Sequence, residues 1–126
     1  MDLTITPGEP IVVPIRVFGR SGAREMDALL DTGASFLTIP PEDAIDLGYS
    51  LEESPRVSLA TAKGTIEAPK VVLSHVTLGP YDARAVPAIC LDIAGAGVSS
   101  LLGLSLLARF NIALQSKAGT LTITDP

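Results

Sequence analysis

The sequence predicts an all-β domain, a sandwich or a barrel carrying one or two short helices. Ten prolines and eleven glycines cut the chain into short segments. Those segments are rich in Val, Ile, Leu and Thr and recur at intervals of about ten residues. Few stretches run far enough without a breaker to make a long helix. With 126 residues, 47% of them hydrophobic, the chain is expected to form one domain over residues 1–126. A domain of that size buries roughly two-thirds of the surface its unfolded form exposes.

Taken in order, residues 3–6 alternate apolar side chains with Thr and read as a strand, as do residues 120–124 at the other end. Residues 11–18 form the first strong strand. Pro14 inside it indicates an edge or a bulge, because proline has no N–H for the ladder. Gly19-Arg20-Ser21-Gly22 turns the chain, and residues 24–30 return, becoming continuously apolar at Leu29-Leu30 as a strand does on entering a core. There the chain meets Asp31-Thr32-Gly33-Ala34-Ser35. Asp is disfavoured inside a strand and costly to bury unpaired, whereas Thr32-Gly33 lets the backbone bend sharply. The carboxylate is therefore expected at a strand-to-loop corner facing a cavity. Alone, the tripeptide also fits an ordinary hairpin turn with a solvated Asp.

Residues 36–39 make a short strand. Residues 40–48 carry Pro and acids at their start and Gly at their end, which predicts a helix of one or two turns. Residues 56–62 and 65–73 form a hairpin turning at Lys63-Gly64, whose small tip residues leave it few anchors. Most hairpins only connect, so placement over a site is what would make this one a lid. Residues 71–78 continue as strand, Gly79-Pro80 turns, and residues 83–91 return, with Pro87 again indicating an edge or a bulge. Ala94-Gly95-Ala96-Gly97 invites a dinucleotide-binding reading. The third glycine of that fingerprint is absent, Ser100 standing in its place, and no acid follows at the end of a second strand. A loop bordering a site fits better. Ser100-Leu101-Leu102-Gly103 leads into a short apolar helix over residues 104–110, and residues 112–115 and 120–124 close as a hairpin.

The bulk properties exclude several classes of function. A net charge of −5 and scattered basic residues give no surface that could track phosphates, so nucleic acid is not an expected partner. The single Cys90 can form no internal disulfide, and with the single His75 it cannot make a zinc site of the usual nitrogen and sulfur ligands. No metal or organic cofactor is expected. Residues 98–114, the longest apolar region, are interrupted by Ser99, Ser100, Ser105, Arg109 and Asn111 and are too short and polar to span a bilayer. The first residues show no secretion leader. A cytoplasmic protein is expected, or a soluble piece of a longer, anchored one.

Three features together resemble the retropepsin-like aspartic proteases, the family of retroviral proteases and their bacterial and cellular relatives. They are Leu29-Leu30-Asp31-Thr32-Gly33-Ala34, the hairpin near Thr61-Ala62-Lys63-Gly64, and Leu101-Leu102-Gly103 followed by a helix. The resemblance implies a closed, barrel-like acid-protease fold with a flap hairpin, working as a homodimer. It makes Asp31 the catalytic carboxylate, with Thr32, Gly33 and Ala34 holding the catalytic loop. Ser35 and the flap residues Thr61, Ala62, Lys63 and Gly64 would bind a peptide or protein substrate, and Leu101, Leu102 and Gly103 would support the loop from behind. Two such carboxylates share a proton around one water. Every other Asp lacks a following Thr-Gly or Ser-Gly, so the second must come from a twin chain. The terminal strands would suit interleaving at that interface. Subsite pockets are expected to be aliphatic, from Ile39, Leu59, Ile66 and Val98. Ala34 cannot donate a hydrogen bond to the carboxylate, as a hydroxyl at this position often does in two-lobed relatives, which implies a milder pH optimum than that of gastric-type enzymes. Two other readings stay open: a non-catalytic module of this fold that dimerises or holds an extended peptide, and an unrelated small β protein.

Overall fold

The structure, a computed structural model, describes residues 1–93 and 98–125. Its elements run β1 (Asp2–Thr4), β2 (Val12–Gly19), β3 (Gly22–Leu30), β4 (Leu37–Ile39), α1 (Pro41–Asp46), β5 (Arg56–Thr61), β6 (Gly64–Leu78), β7 (Tyr81–Cys90), β8 (Ser100–Leu102), α2 (Leu104–Leu107), β9 (Asn111–Gln115) and β10 (Thr120–Thr124). The glycine-rich stretch 94–97, expected to border a site, lies outside the described residues.

Period-two alternation sets the barrel wall. Along β2, Val13, Ile15 and Val17 are buried while Val12, Pro14 and Arg16 are exposed, the pattern of a strand with one face on a core. Neighbouring strands follow the order β2-β3-β8-β4-β7-β6-β5, and β2 also pairs with β6. That last pairing closes six of the seven strands into a barrel and leaves β5 outside it. Closure rests on three residue pairs, Arg16 with Thr77, Val17 with Val76 and Phe18 with His75. A side-chain latch reinforces it. The Tyr49 hydroxyl donates to the Phe18 carbonyl at 2.6 Å and accepts from the Ser74 N–H at 2.8 Å, and the Ser74 hydroxyl donates to the same carbonyl. The Phe18 and His75 rings stack at 3.9 Å.

Inside, Val13, Val17, Leu37, Leu73, Val76, Val86, Leu102 and Leu106 are fully buried, each contributing roughly 1.5–3 kcal/mol by leaving water. A second, three-stranded sheet, β1-β10-β9, adds Leu121 and Ile123 to the same core. The terminal strands pair with each other within the chain, Leu3 opposite Leu121.

The prolines and the helices refine the expectations. Pro14 lies where β2 has β3 on one side and has not yet met β6, so it sits at an open edge. Pro87 likewise lies where β7 has β6 on one side and has not yet met β4, whose pairing begins at Ala88, and a distortion lies two residues before it. It falls at Ala85, whose φ of 51° takes it and Ser74 out of the ladder between Leu73–Val86 and His75–Arg84. Helix α1 starts with Pro41 in its first turn beside Glu42 and Asp43, where a missing N–H costs nothing and negative charge is favoured. Helix α2 stops at Leu107, short of the expected residue 110. The backbone tightens there to bonds from Arg109 N–H to Leu106 and from Phe110 N–H to Leu107, and the Arg109 side chain reaches across to the carbonyls of Arg84 and Ala85.

Candidate active site

Strand β3 carries Leu29 and Leu30 alongside Leu101 and Leu102 of β8 in parallel register, and the chain then turns out of the sheet at Asp31. The Asp31 N–H is still held, by the Leu102 carbonyl at 3.1 Å. Beyond it the turn folds back on itself. The Gly33 N–H donates to Asp31 Oδ1 at 3.0 Å and the Ala34 N–H to the Asp31 carbonyl at 3.2 Å. This is an Asx-type turn, in which the carboxylate is both the turn-former and the group presented. Asp31 is half-buried, and Thr32 and Gly33 are exposed. Among the described residues the Thr32 hydroxyl has no hydrogen-bond partner.

The loop is clamped from behind by β8 and α2. The Leu104 N–H donates to the Ala34 carbonyl at 2.8 Å and the Ser105 N–H to the Ser35 carbonyl at 3.0 Å. Gly103 lets these backbones touch: a Cβ there would lie 2.8 Å from the Ala34 oxygen and closer still to the Phe36 carbonyl. The Ser105 hydroxyl accepts from the Leu37 N–H and donates to the Pro87 carbonyl, at 2.8 and 2.7 Å, which ties the exit of the loop to β7. The buried Ser100 hydroxyl donates to the Thr38 carbonyl at 2.6 Å. No single helix or strand holds Asp31; three do.

A groove of about 450 Å³ opens beside the corner. Gly33, Ala34, Ser35, Phe36, Ile89 and Leu101 form its floor and wall, and Val57, Leu59 and Ile66 of the β5–β6 hairpin roof it. A hollow of about 550 Å³ on the outer wall of the barrel, over Pro14, Arg16, Glu25 and Thr77, is far shallower in chemistry: it holds no corner of this kind.

The structure thus brings together Asp31, Thr32, Gly33, Ala34, Ser35, Leu101, Leu102 and Gly103. Thr61, Ala62, Lys63 and Gly64, the residues expected to form a flap, lie at the end of the β5–β6 hairpin. Thr61 pairs with Gly64, so the turn falls at Ala62-Lys63, one residue earlier than expected, and Gly64 takes a φ of 119° that only glycine adopts freely. Of the four residues expected in subsites, Leu59 and Ile66 line the groove. Ile39 is fully buried in the core, because on β4 it alternates with Thr38, the residue that faces the groove, and Val98 is not among the lining residues. Sequence reasoning missed Phe36, Ile89 and Ser105. Phe36 and Ser105 flank motifs already singled out, and Ile89 stands where the return strand nears its end. Among the described residues, no group of three or more His, Cys, Asp or Glu side chains is arranged to hold a metal, and no helix is long and apolar enough to cross a membrane.

Residues 13–106 match the family model described as aspartyl protease. The chain belongs to the aspartyl protease family. As a member it is 31% identical over 105 residues to an uncharacterized protein in the cobV 5' region of a Sinorhizobium species, covering 81% of this chain and 43% of that protein. The chain therefore spans less than half the length of that relative. It also resembles the crystal structure of a retropepsin-like aspartic protease from Rickettsia conorii, with a TM-score of 0.71 at 24% identity over 98% of this chain and 88% of the other. The closed barrel of this family member is accordingly a retropepsin-like fold.

Proposed function

We propose that the chain is an aspartic endopeptidase whose residues 1–126 act as one domain and which works as a two-fold symmetric homodimer. The observation that carries this reading is the Asp31 corner: a half-buried carboxylate steadied by one backbone N–H, at the head of an apolar groove roofed by a hairpin. One chain supplies one such corner. Placing two face to face on a dyad brings like charges together, so the pair shares a proton and holds a water between them. The ionised Asp31 takes a proton from the water, whose oxygen attacks the scissile carbonyl carbon. The protonated Asp31 of the partner gives its proton to the carbonyl oxygen. The tetrahedral intermediate then collapses: the first Asp31 passes the water's proton to the nitrogen as the C–N bond breaks, the partner's Asp31 takes back a hydroxyl proton as the carboxyl group forms, and no covalent enzyme intermediate forms.

The exposed Thr32 hydroxyl, which has no hydrogen-bond partner among the described residues, would donate across the dyad. Gly33 lets the substrate backbone approach, Ser35 meets it in the groove, and Thr61 to Gly64 close over it and exclude water. Replacing Asp31 by Asn tests the reading. The expected result is loss of peptide cleavage with dimerisation retained by light scattering, while the intact protein cuts and is blocked by a peptide carrying a hydroxyl in place of the scissile carbonyl. An intact dimer that cuts no member of a peptide library refutes catalysis and leaves a peptide-holding module.

A further inference from the structure

The residues lining the groove carry no charge, yet the fold sets one cation against its wall. On the hairpin, Leu59 pairs with Ile66 and Val57 with Ala68. Directly paired residues share a sheet face, and of the β5 residues along the groove Val57 and Leu59 are half-buried while Ser58 and Ala60 between and after them are exposed, so the face of Val57, Leu59 and Ile66 is the groove face of the hairpin. Alternation carries that face on to Lys70, whose cross-strand partner on β7 is the groove-lining Ile89. The side chain follows suit: its ammonium stands 5.4 Å from the centroid of the Phe36 ring, itself part of the floor.

Lys70 is half-buried. Arg24 and Arg84 each have a carboxylate within 4 Å, but among the described residues the Lys70 ammonium makes no ion pair. Glu53, the nearest acid in the neighbouring hollow, shares that hollow's lining with Lys70 without bridging to it. A cation that is half out of water, oriented by an aromatic face and lacking a counter-charge, is a poor stabiliser on its own. It becomes favourable when a ligand brings the anion. The chain as a whole is acidic, with a net charge of −5, so an acidic peptide is drawn to it only where a local positive charge offsets that balance.

We propose that Lys70 is a specificity-determining residue of this groove. It selects extended peptides in which a Glu or Asp side chain neighbours the apolar residue seated on Phe36, Ile89 and Leu101. The inference rests on the peptide-groove reading above and adds a substrate class to it. Phe36 holds the ammonium in place before binding, so less side-chain freedom is lost when the acid arrives.

The test uses peptide pairs identical except for Glu or Gln at each position around the scissile bond. Cleavage of each pair is compared for the intact protein and for Lys70→Met, Lys70→Arg and Lys70→Glu, at low and at physiological salt. Binding of the same pairs is followed by fluorescence anisotropy on the Asp31→Asn protein, with and without Lys70→Met. At one position the intact protein is expected to favour Glu over Gln by about three- to tenfold in kcat/KM, less at higher salt. Lys70→Met brings the ratio to unity, Lys70→Arg keeps it and Lys70→Glu reverses it, whereas a lysine that merely covered Phe36 would leave every ratio alone. A ratio unchanged by Lys70→Met, or equal to one in the intact protein, overturns the proposal. If nothing is cleaved but the Asp31→Asn protein binds the Glu peptides more tightly through Lys70, catalysis falls and this selectivity stands. If no peptide is cut or bound, both fall.

Discussion

At the scale of single residues, Asp31 accepts one backbone hydrogen bond, from Gly33, and among the described residues its other oxygen has no partner. Ala34, next in the turn, has no hydroxyl to offer it. Replacing Ala34 by Ser adds a donor that favours the ionised carboxylate. In the proposed enzyme the acidic limb of the pH profile of kcat/KM should then move to lower pH, and an unmoved limb would show that the side chain does not reach the dyad. Cys90 contrasts with this corner. It is 1% exposed on β7, and burial pushes its thiol up from 9.0 to about 11. Thiolate is the reactive form, so alkylation by iodoacetamide at pH 8, read by mass spectrometry, should be negligible in the native protein and fast in urea. Because the folded chain keeps a proton that the unfolded chain releases, stability is unaffected below about pH 9 and falls as the pH rises from there toward 11.

At the scale of elements, the corner is held by contacts that meet at Gly103, between β8 and α2. An added methyl there would press on the carbonyls of Ala34 and Phe36, the two residues on either side of Ser35. Gly103→Ala is expected to cost about 1–3 kcal/mol in urea unfolding and to reduce cleavage by more than the population still folded accounts for, since the displaced backbone is the one carrying Asp31. Loss of activity only in proportion to unfolding would disprove that link. The corner itself could be read from the sequence because its causes are local: Leu29-Leu30 entering a core, then an acid, then Thr-Gly. The flap could be read as a hairpin for the same reason. The length of β6 could not, because that strand pairs with β5 up to Pro69 and with β7 from Lys70 onward, and changing partners leaves no local mark. The early end of α2 is likewise set from outside, by Arg109 reaching β7. Phe36 and Lys70 became visible only once folding had brought a loop and a strand from different parts of the chain together.

At the scale of the whole molecule, the barrel is closed by one short seam and the terminal strands pair within their own chain. The proposed chemistry needs a second chain, because one chain presents one Asp-Thr-Gly corner. Asp31→Asn should leave the fold intact and still pair with the unaltered chain. Mixing the intact protein with an equal amount of Asp31→Asn and allowing subunits to exchange should therefore lower cleavage to about half that of the intact protein alone, because random pairing puts about half of the intact chains opposite a disabled partner. A larger excess of the variant should suppress activity further, and dilution of the intact protein below its dissociation constant should lower activity per chain. If one corner suffices, added variant changes nothing and activity per chain is independent of concentration. That outcome would leave the barrel and its groove as described and remove the shared water between two copies of Asp31.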